Sequence, residues 1–316
     1  MSLVDNIKSY SEKENLSSDK SKLLKSFLKK GFPTIKDEEW KYTSIKKEIS
    51  KDYFVEVKGD RVSKNEIEEH TLGFENLVVL SDGKLIQKPN INGVEISGFS
   101  EFNSEINDSI SELNSSLSHS GVTIKIKKNT IVENPIEILF FNISKNNFSQ
   151  NRNRIIISKN VEVKFVEKII STHDNHSFLN NFTQIDCAEN SKIEYNKIQN
   201  NSVNSCLIDR IDVNQKKDSV SDINTLIFGG GFVRNNLNFQ QNGSNSESNL
   251  NGVSVLSGNQ IADNHTFVDH KTANCRSNEL YKGIYLDDSK GVFNGKIMVR
   301  QNSQKIDAFQ ANNNLL

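Results

Sequence analysis

The sequence predicts a mainly β protein made of many short strands, with a small helical region at its N-terminal end. Three observations carry this reading. From residue 121 the apolar positions recur every second residue, as in Val122, Ile124 and Ile126 against Thr123, Lys125 and Lys127. A period of two places one strand face on a core and the other in water. Strand-like segments then continue to the end of the 316-residue chain without the helices that βαβ units require. Asn, Ser and Gly crowd the intervening segments, whereas Pro occurs only at 33, 89 and 135. Sandwich, barrel and solenoid all accommodate such a run. The crowded corners favour a solenoid, as does the lack of a dominant hairpin signature, although Asp82-Gly83 and Asn242-Gly243 provide isolated ones.

Taken in order, residues 17–30 form the first clear helix. Leu23, Leu24, Phe27 and Leu28 share one face, opposite a lysine face. Ser17 or Ser18 caps its start, Gly31 takes the left-handed conformation at its end, and Pro33 stops continuation. The acidic residues in Asp37–Thr43 begin a short helix, and Trp40 and Tyr42 seat this segment on the main body. Residues 51–115 read as mixed, with a strand at Leu77–Leu80 and a turn at Ser81–Lys84 leading into Leu85-Ile86. Phe102, Ile106, Ile110, Leu113 and Leu117 keep helical spacing over 100–117. Strands follow at 122–126, 136–140, 154–157 and 161–165. Further strands are expected at 192–198, 203–213, 223–228, 233–239, 250–256, 264–269, 280–286 and 292–299. The chain divides into a helical region 1–50, a mixed α/β region 51–118 and a β core 119–316.

Charge and cysteine usage narrow the function. Thirty-nine basic residues stand against forty acidic ones, a formal charge of -1. Nucleic-acid binding calls for a basic excess or stripe. The first residues lack the basic and apolar regions of a signal peptide, and no apolar run is long enough to cross a membrane. Cys187, Cys206 and Cys275 are odd in number and far apart, which predicts free thiols in a reducing, cytoplasmic setting.

Candidate chemistry is sparse. Gly229-Gly230-Gly231 lacks the Gly-Lys-Ser/Thr ending of a nucleotide loop and is expected to be a tight turn or close backbone approach. His173 and His176 flank Asp174 in an expected loop. His265, Asp269, His270 and Cys275 are suitable metal-ligand types, but positions 269 and 270 point to opposite strand faces. A packed or hydrogen-bonded turn is the expectation there. Asp287-Asp288 reads as a turn. No nucleophile elbow is present. No catalytic, cofactor-binding or metal residue is therefore assigned.

The terminal segments carry a resemblance. Asp269–Ser277 with Leu280–Ile284, then Gly291–Val299, Gln304–Gln310 and Asn312–Leu316, resemble the family shared by the iron–sulfur cluster assembly proteins SufB and SufD. Gly31–Thr34 and Glu39–Thr43 resemble that family's opening motif in its SufD-like form. The resemblance implies a right-handed parallel β-helix core with a helical N-terminal region. It also implies a non-ATPase scaffold that supports cluster assembly in a cytoplasmic complex with SufB-like and SufC-like subunits, itself holding no assigned cofactor. Family members continue beyond the Asn-Asn-Leu-Leu segment into a Cys-x-His motif and a helical region that binds SufC. The expectation is therefore a C-terminally truncated member with impaired SufC binding. The alternatives are an independent β-solenoid enzyme acting on a polymer and a SufB-like cluster-binding scaffold.

Overall fold

The computed structural model describes residues 2–55, 61–106, 108–171 and 176–316. The first helix, α1 (Leu3–Lys13), has a capping box between Ser2 and Asp5 and buries Leu3 and Ile7. Its apolar residues Leu3, Val4, Ile7 and Tyr10 keep helical spacing, a signal the sequence reading missed. Helix α2 (Ser18–Lys30) is capped by Ser17 and ends at Gly31 with φ 76°, as expected. A single 3-10 turn at Glu38–Trp40 buries the tryptophan. Two short helices follow, α3 (Lys46–Ile49) and α4 (Lys64–His70).

Strands β1 (Asn76–Ser81) and β2 (Lys84–Gln87) form the hairpin expected at Asp82-Gly83. Both turn residues adopt positive φ, 46° and 82°. After β3 (Val94–Gly98) comes α5, which spans only Ser109–Leu117. Asp108 caps it through the Ser111 amide, so Phe102 and Ile106, whose spacing suggested helix, lie ahead of the helix in a segment without regular secondary structure.

The remainder is a parallel β-solenoid. One sheet, A, takes β4 (Val122–Ile126), β6 (Asn147–Ile157), β8 (Ser177–Cys187), β10 (Ser205–Gln215), β12 (Phe232–Gln241), β14 (Ile261–His270) and β16 (Lys290–Val299). The other, B, takes β5 (Ile136–Asn142), β7 (Glu162–Ser171), β9 (Lys192–Gln199), β11 (Val220–Ile227), β13 (Glu247–Leu256), β15 (Arg276–Tyr285) and β17 (Asp307–Leu315). Consecutive strands alternate between the sheets, and every neighbour within this series is parallel, as in β8 to β10 and β11 to β13. Asn242-Gly243 is accordingly a solenoid corner and not a hairpin: a Cβ on Gly243 would sit 2.0 Å from the Lys217 nitrogen of the preceding coil.

One corner sets the repeat. Asn129, Asn160, Asn190, Asp218, Asn245, Asn274 and Lys305 all have φ between 55° and 62°. They recur every 27–31 residues, once per coil. Asn and Asp tolerate this left-handed conformation because a short polar side chain offsets its cost. The stacked side chains also bond between coils: Asn160 donates to Asn129 at 2.8 Å, and Asn190 donates to Asn160 at 2.9 Å.

Between the sheets lies the main apolar core. On sheet A, Ile155, Ile185, Val213, Phe239 and Val268 stack in register. On sheet B, Ile136, Phe165, Tyr195, Ile223 and Leu250 do the same. The outer face of sheet A is not in water as simple alternation predicts. Helices α1, α2 and α5 cover it through Leu3, Phe27, Ile110 and Leu113 packed on Phe148, Phe178, Ile208 and Phe232. Full burial of each such side chain stabilises by roughly 1.5–3 kcal/mol. Two-sided burial also explains why β8 escaped the sequence reading: all but one of its residues are buried, so polar and apolar positions do not alternate.

Candidate functional site

Two polar regions stand out, one inside the solenoid and one on its helix-covered face. The interior region follows from register. Asn151, Asn181, Asp209, Asn235 and Asn264 occupy successive rungs of sheet A on the side facing sheet B. Their side chains bond along the axis: Asn151 donates to Asn181 at 2.6 Å, Asn181 to Asp209 at 2.7 Å, and Asn235 to Asn264 at 3.1 Å. Such a ladder satisfies buried amides without water. From sheet B, Gln199 closes a reciprocal pair with Asn235 at 2.8 and 3.1 Å.

At the centre lies Lys197, fully buried. Its ammonium is 2.9 Å from Glu167 and also donates to Asp209. Burial opposes its charge, but the two carboxylates outweigh burial and hold the lysine pKa above its ordinary value. Burial drives the Glu167 pKa up, with Lys197 opposing and Asp209 reinforcing the rise. One cation between two buried carboxylates leaves them undercompensated, which is why the Glu167 pKa lies above its ordinary value.

The second region is a cavity of about 360 Å³ between sheet A, the Trp40 turn and the segment leading into α5. Its floor is one row of side chains across successive strands: Arg152, Phe182, Arg210, Asn236, His265 and Asn294. Arg152 is buried and, among the described residues, carries no carboxylate on its guanidinium. It donates to Ser115 at 2.5 Å and Ser104 at 2.9 Å, and lies against the stacked rings of Phe102 and Phe182, 4.6 and 4.7 Å from their centroids. Burial, with Arg210 adding to it, lowers its pKa to about 10. Arg210 instead forms a bidentate pair with Asp212 at 2.8 and 2.7 Å.

The Glu39–Thr43 motif is fastened at the cavity edge. Arg234 reaches Asp263 at 2.6 Å and stacks under the Trp40 ring, 4.0 Å from its centroid. Thr43 donates its hydroxyl to the same carboxylate, and Lys290 donates to the Tyr42 carbonyl. His265 spans Asp263 at 2.8 Å and Glu39 at 3.2 Å. Asp263 is buried, yet its hydrogen bond from His265 and the charge of Arg234 overcome that burial and lower its pKa. Trp40 is thus seated as the sequence predicted, by a clamp of charges that the sequence did not reveal, whereas Tyr42, expected to seat the segment with it, is exposed.

The other singled-out residues are dispersed. His265 and Asp269 face outward, Asp269 in a bidentate pair with Arg300 at 2.8 Å on both oxygens. His270 faces inward, 3.1 Å from the Ser277 hydroxyl, and burial lowers its pKa. Cys275 occupies a corner, 3.3 Å from the Ser246 hydroxyl. No group of three or more His, Cys, Asp or Glu among the described residues could hold a metal. His173 and Asp174 lie outside the described residues, and His176 is exposed. At Gly229–Gly231 the backbone packs closely, because a Cβ at Gly231 would fall 2.2 Å from the Val203 carbonyl. The Gly230 and Gly231 amides donate to Asn201 and Ser205. Asp287 is a turn residue with φ 57° and accepts from the Gly258 amide at 2.9 Å. All three cysteines are free and buried, and burial pushes the Cys187 thiol up to about 12. No helix among the described residues is long and apolar enough to cross a membrane.

Comparison with known proteins places these features in a family. Residues 140–316 match the core domain described as SUF system FeS cluster assembly, SufBD core domain, and residues 4–79 match the SufBD protein N-terminal region. The chain is 26% identical to iron-sulfur cluster assembly protein SufD of Escherichia coli over 309 residues, 93% of this chain and 72% of that protein. It is 26% identical to a SufBD family protein of Synechocystis over 66% of this chain and 49% of that one. Protein ABCI7 of Arabidopsis thaliana, a chloroplastic protein, is 24% identical over 62% of this chain and 43% of its own length. With more than half of its residues matching the core domain, the chain belongs to the SufB/SufD family.

Proposed function

We propose that this chain is a non-ATPase scaffold subunit that supports iron–sulfur cluster assembly in a cytoplasmic complex with SufB-like and SufC-like partners. The observation that carries the reading is the similarity to SufD along 93% of the chain, spanning both the helical region and the solenoid. The geometry is in keeping with it. The Gly229–Gly231 amides named above are engaged by backbone carbonyls, so this triplet offers no phosphate cradle. A long, rigid solenoid held by stacked rungs suits a body that positions partners. In this reading residues 1–50 and 51–118 clasp the 119–316 core on both faces, the α4 region covering Leu139, Phe141 and Ile170 on the first rungs of sheet B, and the outer face of the later sheet B strands is left for assembly.

The test is co-expression of the tagged chain with a SufB-like subunit alone, and then with SufB-like and SufC-like subunits together. A stoichiometric complex with the SufB-like subunit is expected. Recovery of the tagged chain alone, folded by circular dichroism but without either partner, would refute the scaffold reading.

A further inference from the structure

We propose that the cavity beneath the Trp40 turn binds a small organic anion with a planar, apolar body. Its volume, about 360 Å³, falls within the range of small-molecule sites, roughly 300–1,000 Å³. Trp40, Ile110, Phe182 and Phe267 supply an apolar and largely aromatic wall suited to a flat ligand.

The polar groups decide the charge. Most of those lining the cavity are already engaged by the protein. Arg210 is committed to Asp212 and Arg234 to Asp263. Arg152 spends its terminal nitrogens on Asn114, Ser115, Ser104 and the Phe102 carbonyl. Among the carboxylates, Glu39 meets His265, Asp108 accepts from the Ser111 amide and hydroxyl, and Glu105 accepts from Gln240. Three lining groups have no hydrogen bond or ion pair among the described residues: the amides of Asn236 and Asn294 and the ammonium of Lys296.

Those three converge by register. Asn236 and Asn294 flank His265 in one row, and Lys296 lies two residues beyond Asn294 on the same strand face. The Lys296 ammonium stands 5.7 Å from the centre of the Phe267 ring, which pairs with it across the sheet. The unspent donors therefore consist of one cation and two amides beside an aromatic wall. A carboxylate, sulfonate or phosphate on a planar body matches that set. A cationic ligand would meet the unpaired lysine.

Binding of naphthalene-1-sulfonate, benzoate and phenyl phosphate to the full chain is measured by ligand-observed NMR and isothermal titration, with 1-naphthalenemethanol as the uncharged control. The expected result is binding of at least one aromatic anion in preference to the alcohol. Lys296→Gln, at an exposed position, is expected to weaken that binding about tenfold through loss of a charge-assisted hydrogen bond. Asn236→Trp fills the cavity and is expected to abolish it. Should Asn236→Trp fail to fold, Lys296→Gln alone decides the matter. The proposal is overturned if no aromatic anion binds, if the alcohol binds equally well, or if Lys296→Gln leaves the affinity unchanged. No step of this experiment uses a Suf partner, so its outcome is independent of the scaffold reading.

Discussion

Replacing Lys197 by Met tests how the solenoid tolerates charge in its interior. The lysine, Glu167 and Asp209 side chains are 0%, 1% and 2% exposed, so solvent cannot take over the lost interaction. Methionine fills much of the same volume and leaves two carboxylates facing each other across the vacated ammonium site. Removing one partner of a buried ion pair costs about 3–5 kcal/mol, because the remaining charge stays buried without compensation. With an m-value of about 3 kcal/mol/M, the urea midpoint falls by roughly 1–1.7 M. The assay is urea unfolding followed by far-UV circular dichroism, which reports on the strands. The loss is expected to be smaller at pH 5 than at pH 8, because protonation relieves the carboxylates. Adding Glu167→Gln and Asp209→Asn to the same chain is expected to restore at least half of the loss, since the whole charge set is then gone. A Lys197→Met protein with an unshifted midpoint at pH 8 would show that the charges are hydrated, and the argument from burial would fail.

Three further outcomes follow from named contacts. Glu167 has a folded pKa raised above the ordinary 4.5, so its contribution is present below that value and is lost as pH rises through the folded pKa. Glu167→Gln is therefore expected to flatten the decline of stability above pH 4.5 in a series of urea titrations; an unchanged slope would contradict the upward shift of the Glu167 pKa. Asp263→Ala leaves the Arg234 guanidinium, 2% exposed, without its carboxylate and frees Thr43. A destabilisation of about 3 kcal/mol is expected, together with a red shift in the fluorescence of Trp40, the only tryptophan. A normal emission spectrum would mean that the clamp does not depend on Asp263. At the corner, Asn160 holds φ 57°, so Asn160→Val is expected to cost about 1–2 kcal/mol and Asn160→Gly distinctly less. Equal midpoints for the two variants would rule out backbone strain as the reason for asparagine at this corner.

Much of this architecture was legible in the residues, but unevenly. Helix α2 could be bounded because Ser17 and Gly31 are chemical stop signals that act locally. Strands such as Lys192–Gln199 were placed closely, because a sheet B strand keeps alternating burial with its outer face open. The first half of β6 and all of β8 were not, since both faces are covered and the alternation disappears. The coil repeat was present as an Asn or Asp at nearly every left-handed corner, but the intervening sequences diverge enough to mask its period. The asparagine excess, read only as turn chemistry, also builds ladders within the strands. Asn196, Asn224 and Asn251 bond in series at 2.8 and 2.9 Å on the outer face of sheet B. The interior charges had a signal of their own. Glu167 continues the core parity of Val163 and Phe165, and Lys197 continues that of Ile193 and Tyr195.

The sequence by itself determined what depends on neighbours along the chain. Caps, the Asp82-Gly83 hairpin, strand periodicity and the terminal motifs that mark the SufB/SufD family all fall within short windows. Tertiary structure decided what depends on which coil lies above which. Register brings Lys197 between Glu167 and Asp209, residues 30 and 12 positions away. It also aligns Arg152, Arg210, Asn236 and His265 into one cavity floor. Parallel stacking pairs residues about one coil apart, and a single-residue slip would turn every side chain to the opposite face. That long-range register is a property of the folded solenoid, and no local window contains it.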